Sequence, residues 1–147
     1  MHPFPHYYEV TSSSDSATND APIQATNLEL IDTAPPVEFG GPGDKWSPES
    51  LLIGAVASCF ILSFRAVARA SKLDWRSVAC SVTGTLDRPG KRTRFVRLMI
   101  TARLNVGAET SPQRAERVLE KAKDNCLVSN SLSCEVDITT DIVTEGS

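Results

Sequence analysis

The residues best suited to chemistry in this chain are four cysteines, Cys59, Cys80, Cys126 and Cys134, set beside only two histidines, His2 and His6. A thiolate is both a nucleophile and a redox centre, and its surroundings decide which role it takes. Cys80 and Cys134 each hold one position in an alternating apolar–polar segment, where a free cysteine behaves as a small hydrophobe. Cys59 follows Ser58 inside a long apolar run, and Cys126 comes directly after Asp124-Asn125 at the end of a charged amphipathic segment. On residue types alone this second pair is either a redox couple or two inert buried thiols. A metal site is not expected: there is no CxxC, and the separations 59–80 and 126–134 fit no usual zinc pattern. A serine triad is not expected either, because no GxSxG elbow exists and histidine is so scarce. No cofactor is implied.

The element that must position Cys59 is Ser47 to Ala70, SPESLLIGAVASCFILSFRAVARA. Ser47 is a preferred N-cap, Pro48 fits the first helical position, and Glu49 places a negative charge where the helix dipole favours one. From Ser50 to Phe64 there is no charge, and apolar residues fall all round the helix, so it requires cover on every side. The uncharged run is shorter than the ~20 residues of a membrane span, so a buried core helix is expected.

Around it the pattern predicts strands. His6 to Val10 and Ile23 to Ile31 read as short strands joined by a polar loop, Thr11 to Asp20. APPVEFGGPGDKW (Ala34 to Trp46) is a loop leading into the helix. Val78 to Asp87 and Val96 to Val106 alternate with period two and form a hairpin across Arg88 to Thr93, whose basic residues read as a solvated tip. Ser111-Pro112 opens a second helix with Ala115, Val118, Leu119 and Ala122 on one face, and Cys134 to Ile142 is a last strand. Antiparallel strands with helices between the runs predict an α+β fold in a single domain, 1–147, with residues 1–22 as an N-terminal strand and loop. An all-round apolar helix on one sheet leaves a flank uncovered, which predicts an obligate homodimer with the central helices buried together.

A net charge of −3 with no long basic run gives no pull toward nucleic acid or membrane. The N-terminus lacks a basic segment followed by an apolar one, so the expected location is the reducing cytoplasm.

WSPESLLIGAVASCF (Trp46 to Phe60), with GTLDR (Gly84 to Arg88), RF (Arg94-Phe95) and KAKDNCLVSNSL (Lys121 to Leu132), resembles the OsmC/Ohr family of osmotically inducible and organic hydroperoxide resistance proteins. The resemblance runs from about residue 35 to 143 and includes the lead-in PPVEFGGPGD. It implies an OsmC-like fold, antiparallel sheets packed around a buried central helix, in an intertwined homodimer whose active sites are shared between subunits. It further implies thiol-dependent reduction of hydroperoxides, with an external dithiol as reductant. By matching position, Cys59 corresponds to the peroxidatic cysteine, Cys126 to the resolving cysteine, and Glu49 to a glutamate of the site's charge network. Leu51, Ile53, Phe60 and Phe64 would then wall an apolar substrate, or are simply core. One departure stands out. Peroxide-reducing members use an arginine from the N-terminal strands to hold the thiolate, and this chain has no arginine before Arg65. A buried Cys59 without a cation is expected to have a raised pKa. Arg65 and His6 are the candidates to substitute, and a redox sensor or small-ligand-binding protein of the same fold is the alternative function.

Overall fold

The computed structural model describes residues 1–146. In chain order it contains β1 (Thr11–Ser12), β2 (Ile23–Gln24), α1 (Pro48–Ser71), β3 (Trp75–Asp87), β4 (Arg94–Val106), α2 (Pro112–Asp124), α3 (Leu127–Asn130) and β5 (Glu135–Thr144). The chain divides into two compact units, Met1–Leu52 and Ile53–Ser147, and α1 runs from the end of the first into the second.

The first unit is mostly loop. β1 and β2 pair antiparallel, Thr11 against Gln24. His6 to Val10 lies outside any strand, and pairing begins only at Thr11. The strand expected over Ile23 to Ile31 is instead folded back on itself. Asn27 takes a left-handed φ of 63°, a conformation its short polar side chain tolerates. Ile23 and Ile31 then exchange both backbone hydrogen bonds, at 2.9 and 3.0 Å. Lys45 ties the loop together through Asp20 (2.6 Å) and Asp32 (2.9 Å).

The start of α1 follows the expected chemistry with an added device. The Ser47 hydroxyl accepts from the Ser50 amide at 3.0 Å, and the Ser50 hydroxyl accepts from the Ser47 amide at 2.9 Å. This reciprocal cap satisfies two amides that the first turn leaves unpaired. The helix then runs unbroken to Ser71. It ends with Lys72 left-handed at φ 53°, the Leu73 amide reaching back to Ala68 O at 2.9 Å. By length and composition α1 could cross a bilayer. In this fold one face of it, Val56, Phe60, Phe64, Val67 and Ala68, is buried. The sequence pattern called for cover on all sides; within one chain the opposite face, with Ala55, Ser58 and Leu62, stays exposed, Leu62 at 62%.

The second unit is one three-stranded sheet, β3-β4-β5. β3 and β4 form the predicted hairpin, with Val82 opposite Ile100 and a left-handed Gly90 in the exposed turn. β5 lies parallel to β4, Ile100 beside Ile138, so this sheet is mixed rather than purely antiparallel. The cause is the connection: β4 reaches β5 through α2 and α3, and a crossover of that length returns the chain in the same direction. Leu98, Ile100, Ala102, Leu104 and Val106 point to one face and are fully buried. Against them pack the buried residues of α1 and the predicted stripe of α2, Ala115, Val118, Leu119 and Ala122. Gly84 is required by this packing, since a Cβ there would sit 2.5 Å from Ile53 Cδ1 at the start of α1. The other sheet face carries exposed ion pairs, Arg97–Asp137 at 3.1 Å and Arg103–Asp141 at 3.7 Å.

Ile100 sits at the centre of this core, so Ile100→Ala should cost about 2–5 kcal/mol and Ile100→Val about 0.5–1.5 kcal/mol. Urea unfolding followed by circular dichroism measures both. An alanine variant as stable as the parent would contradict the packing.

Candidate active site

Cys59 lies near the middle of α1, one turn beyond the buried Val56, and is half-buried. Cys126 reaches the same part of the helix from the other side of the sequence. α2 ends with Asn125 donating its amide to Lys121 O, and the Cys126 amide closes onto Lys123 O at 3.2 Å. Cys126 is then the N-cap of the single turn α3, its carbonyl accepting from the Asn130 amide at 2.9 Å and the Ser129 hydroxyl at 3.1 Å. These bonds fix its backbone. Its side chain is completely buried, with Sγ 4.0 Å from the Val56 carbonyl oxygen.

The two thiols are neighbours that influence each other, and their surroundings drive their ionisation apart. Burial pushes the Cys59 thiol up, but four donors outweigh it: the Val128 amide, the Cys126 thiol, the Ser63 hydroxyl and the Leu127 amide. The net effect holds Cys59 below an ordinary thiol. Burial pushes Cys126 up; Ser129 partly offsets that, and the neighbouring Cys59 adds to the rise. Of the two, Cys59 is therefore the thiol that ionises first as pH rises, while Cys126 beside it stays protonated to higher pH. A nucleophilic sulfur with a second sulfur in contact can attack an electrophile and then close a disulfide.

The expectation that Cys59 would be raised for want of a cation is therefore overturned. Hydrogen-bond donors favour the thiolate as a cation would. Arg65 is not used in that way. The Arg65 guanidinium lies 5.7 Å over the Trp75 ring, and His6 stacks on Phe4 while its Nε2 lies 2.9 Å from His2 O. Phe60 and Phe64 are fully buried in the core, so they are packing rather than a substrate wall. Cys80 is half-buried with its thiol directed at Ala57 O, 3.7 Å away, and burial raises its pKa. Cys134 stands just before β5 and is half-buried.

Glu49 occupies the first turn of α1, and its Oε1 is buried with no hydrogen-bond partner among the described residues. Because the helix is continuous, the ten residues from 49 to 59 separate it from Cys59 by about 15 Å along the axis.

Sequence reasoning missed Ser63, whose hydroxyl lies 4.0 Å from Cys59 Sγ. The signal was present, since a residue four positions on shares a helix face. It also missed Ser129 and the amides of Leu127 and Val128, which carry no side-chain signature.

The family model described as OsmC-like protein matches residues 41–141 of the chain. YmaD of Bacillus subtilis, an uncharacterized protein, is 21% identical over 136 residues, covering 90% of each sequence. An OsmC-like protein of unknown function from Vibrio cholerae has a similar structure, with a TM-score of 0.84, 16% identity, and coverage of 92% of this chain and 99% of that one. An organic hydroperoxide resistance protein OsmC from Legionella pneumophila superposes with a TM-score of 0.76 at 22% identity, over 96% and 99% of the two chains. At such identities the structural likeness establishes the fold.

The opposed ionisation predicts the order of labelling. Reacted with iodoacetamide across pH, Cys59 should show a rate midpoint below the ~8.5 of an unperturbed thiol, so lowering the pH suppresses its labelling last. Ser63→Ala should move that midpoint upward. Mass spectrometry of the labelled peptides reads both, and a Cys59 midpoint equal to that of the denatured chain would contradict the geometry.

Proposed function

We infer the function from one premise: the chain belongs to the OsmC-like protein family. The reading best supported is a thiol peroxidase that reduces organic hydroperoxides, and the observation that carries it is a partly exposed Cys59 with a lowered pKa beside a fully buried Cys126 with a raised one. The solved relative from Legionella is named for organic hydroperoxide resistance, which agrees with this assignment.

In the proposed reaction the Cys59 thiolate attacks one oxygen of the peroxide. The O–O bond breaks, the alkoxide leaves and takes up a proton to become the alcohol, and sulfur is left as a sulfenic acid. The Cys126 sulfur then attacks the Cys59 sulfenic sulfur. Water is expelled with the Cys126 proton, and the disulfide forms. An external dithiol returns both sulfurs to thiols by exchange. No cofactor enters. The burial of Cys126 protects it from direct oxidation, and the partial exposure of Cys59 admits substrate.

The reading includes a homodimer. The exposed face of α1 around Ala55, Ser58 and Leu62 is apolar and uncovered within one chain. An antiparallel pairing of two α1 helices would bury it, and would carry the unpartnered Glu49 of one subunit toward Cys59 of the other. The family match crosses the boundary between the two units, which supports treating 1–147 as one domain. A cytoplasmic location suits a reaction that depends on reduced thiols.

Titrated with cumene hydroperoxide, the reduced protein should lose two thiols per subunit stoichiometrically and recover both with a dithiol. Cys59→Ser should abolish consumption, whereas Cys126→Ser should permit a single turnover and leave Cys59 open to overoxidation. Thiol loss no faster than that of free cysteine would favour the sensor or binding protein instead. Sedimentation should report a dimer, which Leu62→Arg should dissociate; a monomeric parent would remove the dimer from the reading.

A further inference from the structure

Toward the C-terminal end of α1, the helix and the start of β3 border an open surface cleft of about 260 Å³ lined by Arg65, Ala68, Arg69, Lys72, Leu73 and Trp75. Three of the six are cations and none is an acid, in a chain whose net charge is −3. None of the three is ion-paired among the described residues, although Arg76, Arg97 and Arg103 on the nearby strands all are. The closest acid in sequence, Asp74, is already taken by Arg76 at 2.6 Å. Compensation of the helix dipole accounts for a cation in the last turn, where Arg69 stands. It does not account for Arg65, which lies more than a turn earlier.

The cleft is also built rather than incidental. The Arg65 guanidinium is held 5.7 Å over the Trp75 ring, and that ring is fixed in turn by an edge-on contact with the buried Phe64, centroids 5.1 Å apart. Ala68 and Leu73 are buried beneath the cleft. Planar guanidinium groups offer paired donors matched to an oxyanion, with the lysine ammonium as a further point charge. We propose that this pocket binds a small soluble phosphate compound, either inorganic phosphate or a short phosphate monoester whose carbon part rests beside Trp75. The volume falls below that of pockets built for drug-sized ligands, which limits the carbon part to a few atoms. The site is independent of the thiol chemistry.

Trp75 is the natural reporter. In a Trp46→Phe background it is the only tryptophan left, and its fluorescence can be followed while inorganic phosphate or glycerol 3-phosphate is added at constant ionic strength made up with sodium chloride. A saturable change with a midpoint of roughly millimolar order is expected. Arg69→Gln combined with Lys72→Gln should weaken it about tenfold or more. The control pair Arg88→Gln and Lys91→Gln, in the exposed hairpin turn, should leave it unchanged. Absence of saturation, equal loss in the control pair, or a response unaltered by the double substitution would each overturn the proposal. So would a response to phosphatidic acid vesicles without one to the free phosphates, because that would identify a membrane surface as the ligand.

Discussion

The structure turns on the pairing of two neighbouring cysteines whose thiols are shifted in opposite directions. Neither thiol produces that state alone. Cys59 is half-buried, and burial by itself would raise its pKa; the Val128 and Leu127 amides, Ser63 and the Cys126 thiol turn the net shift downward. The Cys126 thiol is raised because it is fully enclosed and because Cys59 stands next to it. Each residue therefore supplies part of the other's environment, and removing either changes both.

Every larger element serves that pairing. The buried face of α1 seats the helix on β4, which sets where Cys59 stands relative to the sheet. α2 packs its apolar stripe on the same sheet face and delivers Cys126 at its end. The single turn of α3 then holds Cys126 by its backbone and turns two amides toward the Cys59 sulfur. The alternation of the strands and the stripe of α2 are thus not generic core. They set the distance between two residues far apart in the chain.

Much of this was legible from residue order. The cap at Ser47-Pro48, the period-two runs of the hairpin and the stripe at Ala115, Val118, Leu119 and Ala122 are local signals, and each appears where those signals put it. The two cysteines of interest were marked by position and by family resemblance. What could not be read was non-local or carried by backbone. The parallel placement of β5 depends on a crossover, and period-two alternation is the same for either direction. The doubling back between Ile23 and Ile31 depends on the φ of one asparagine. The lowered pKa of Cys59 depends in part on the main-chain N–H groups of Val128 and Leu127, which every residue but proline possesses and which leave no mark on sequence.

The crossover also sets an order of events as the chain folds. β3 and β4 are adjacent and can zip locally, whereas β5 pairs Arg97 with Glu135 across the whole of α2 and α3. Pairings that close such long loops form late, since their chain entropy must be lost before any contact is gained. Cys126 lies inside that loop. Until that segment arrives, Cys59 lacks the Val128 and Leu127 amides and the Cys126 thiol that lower its pKa, so its sulfur becomes reactive only as the fold closes around it.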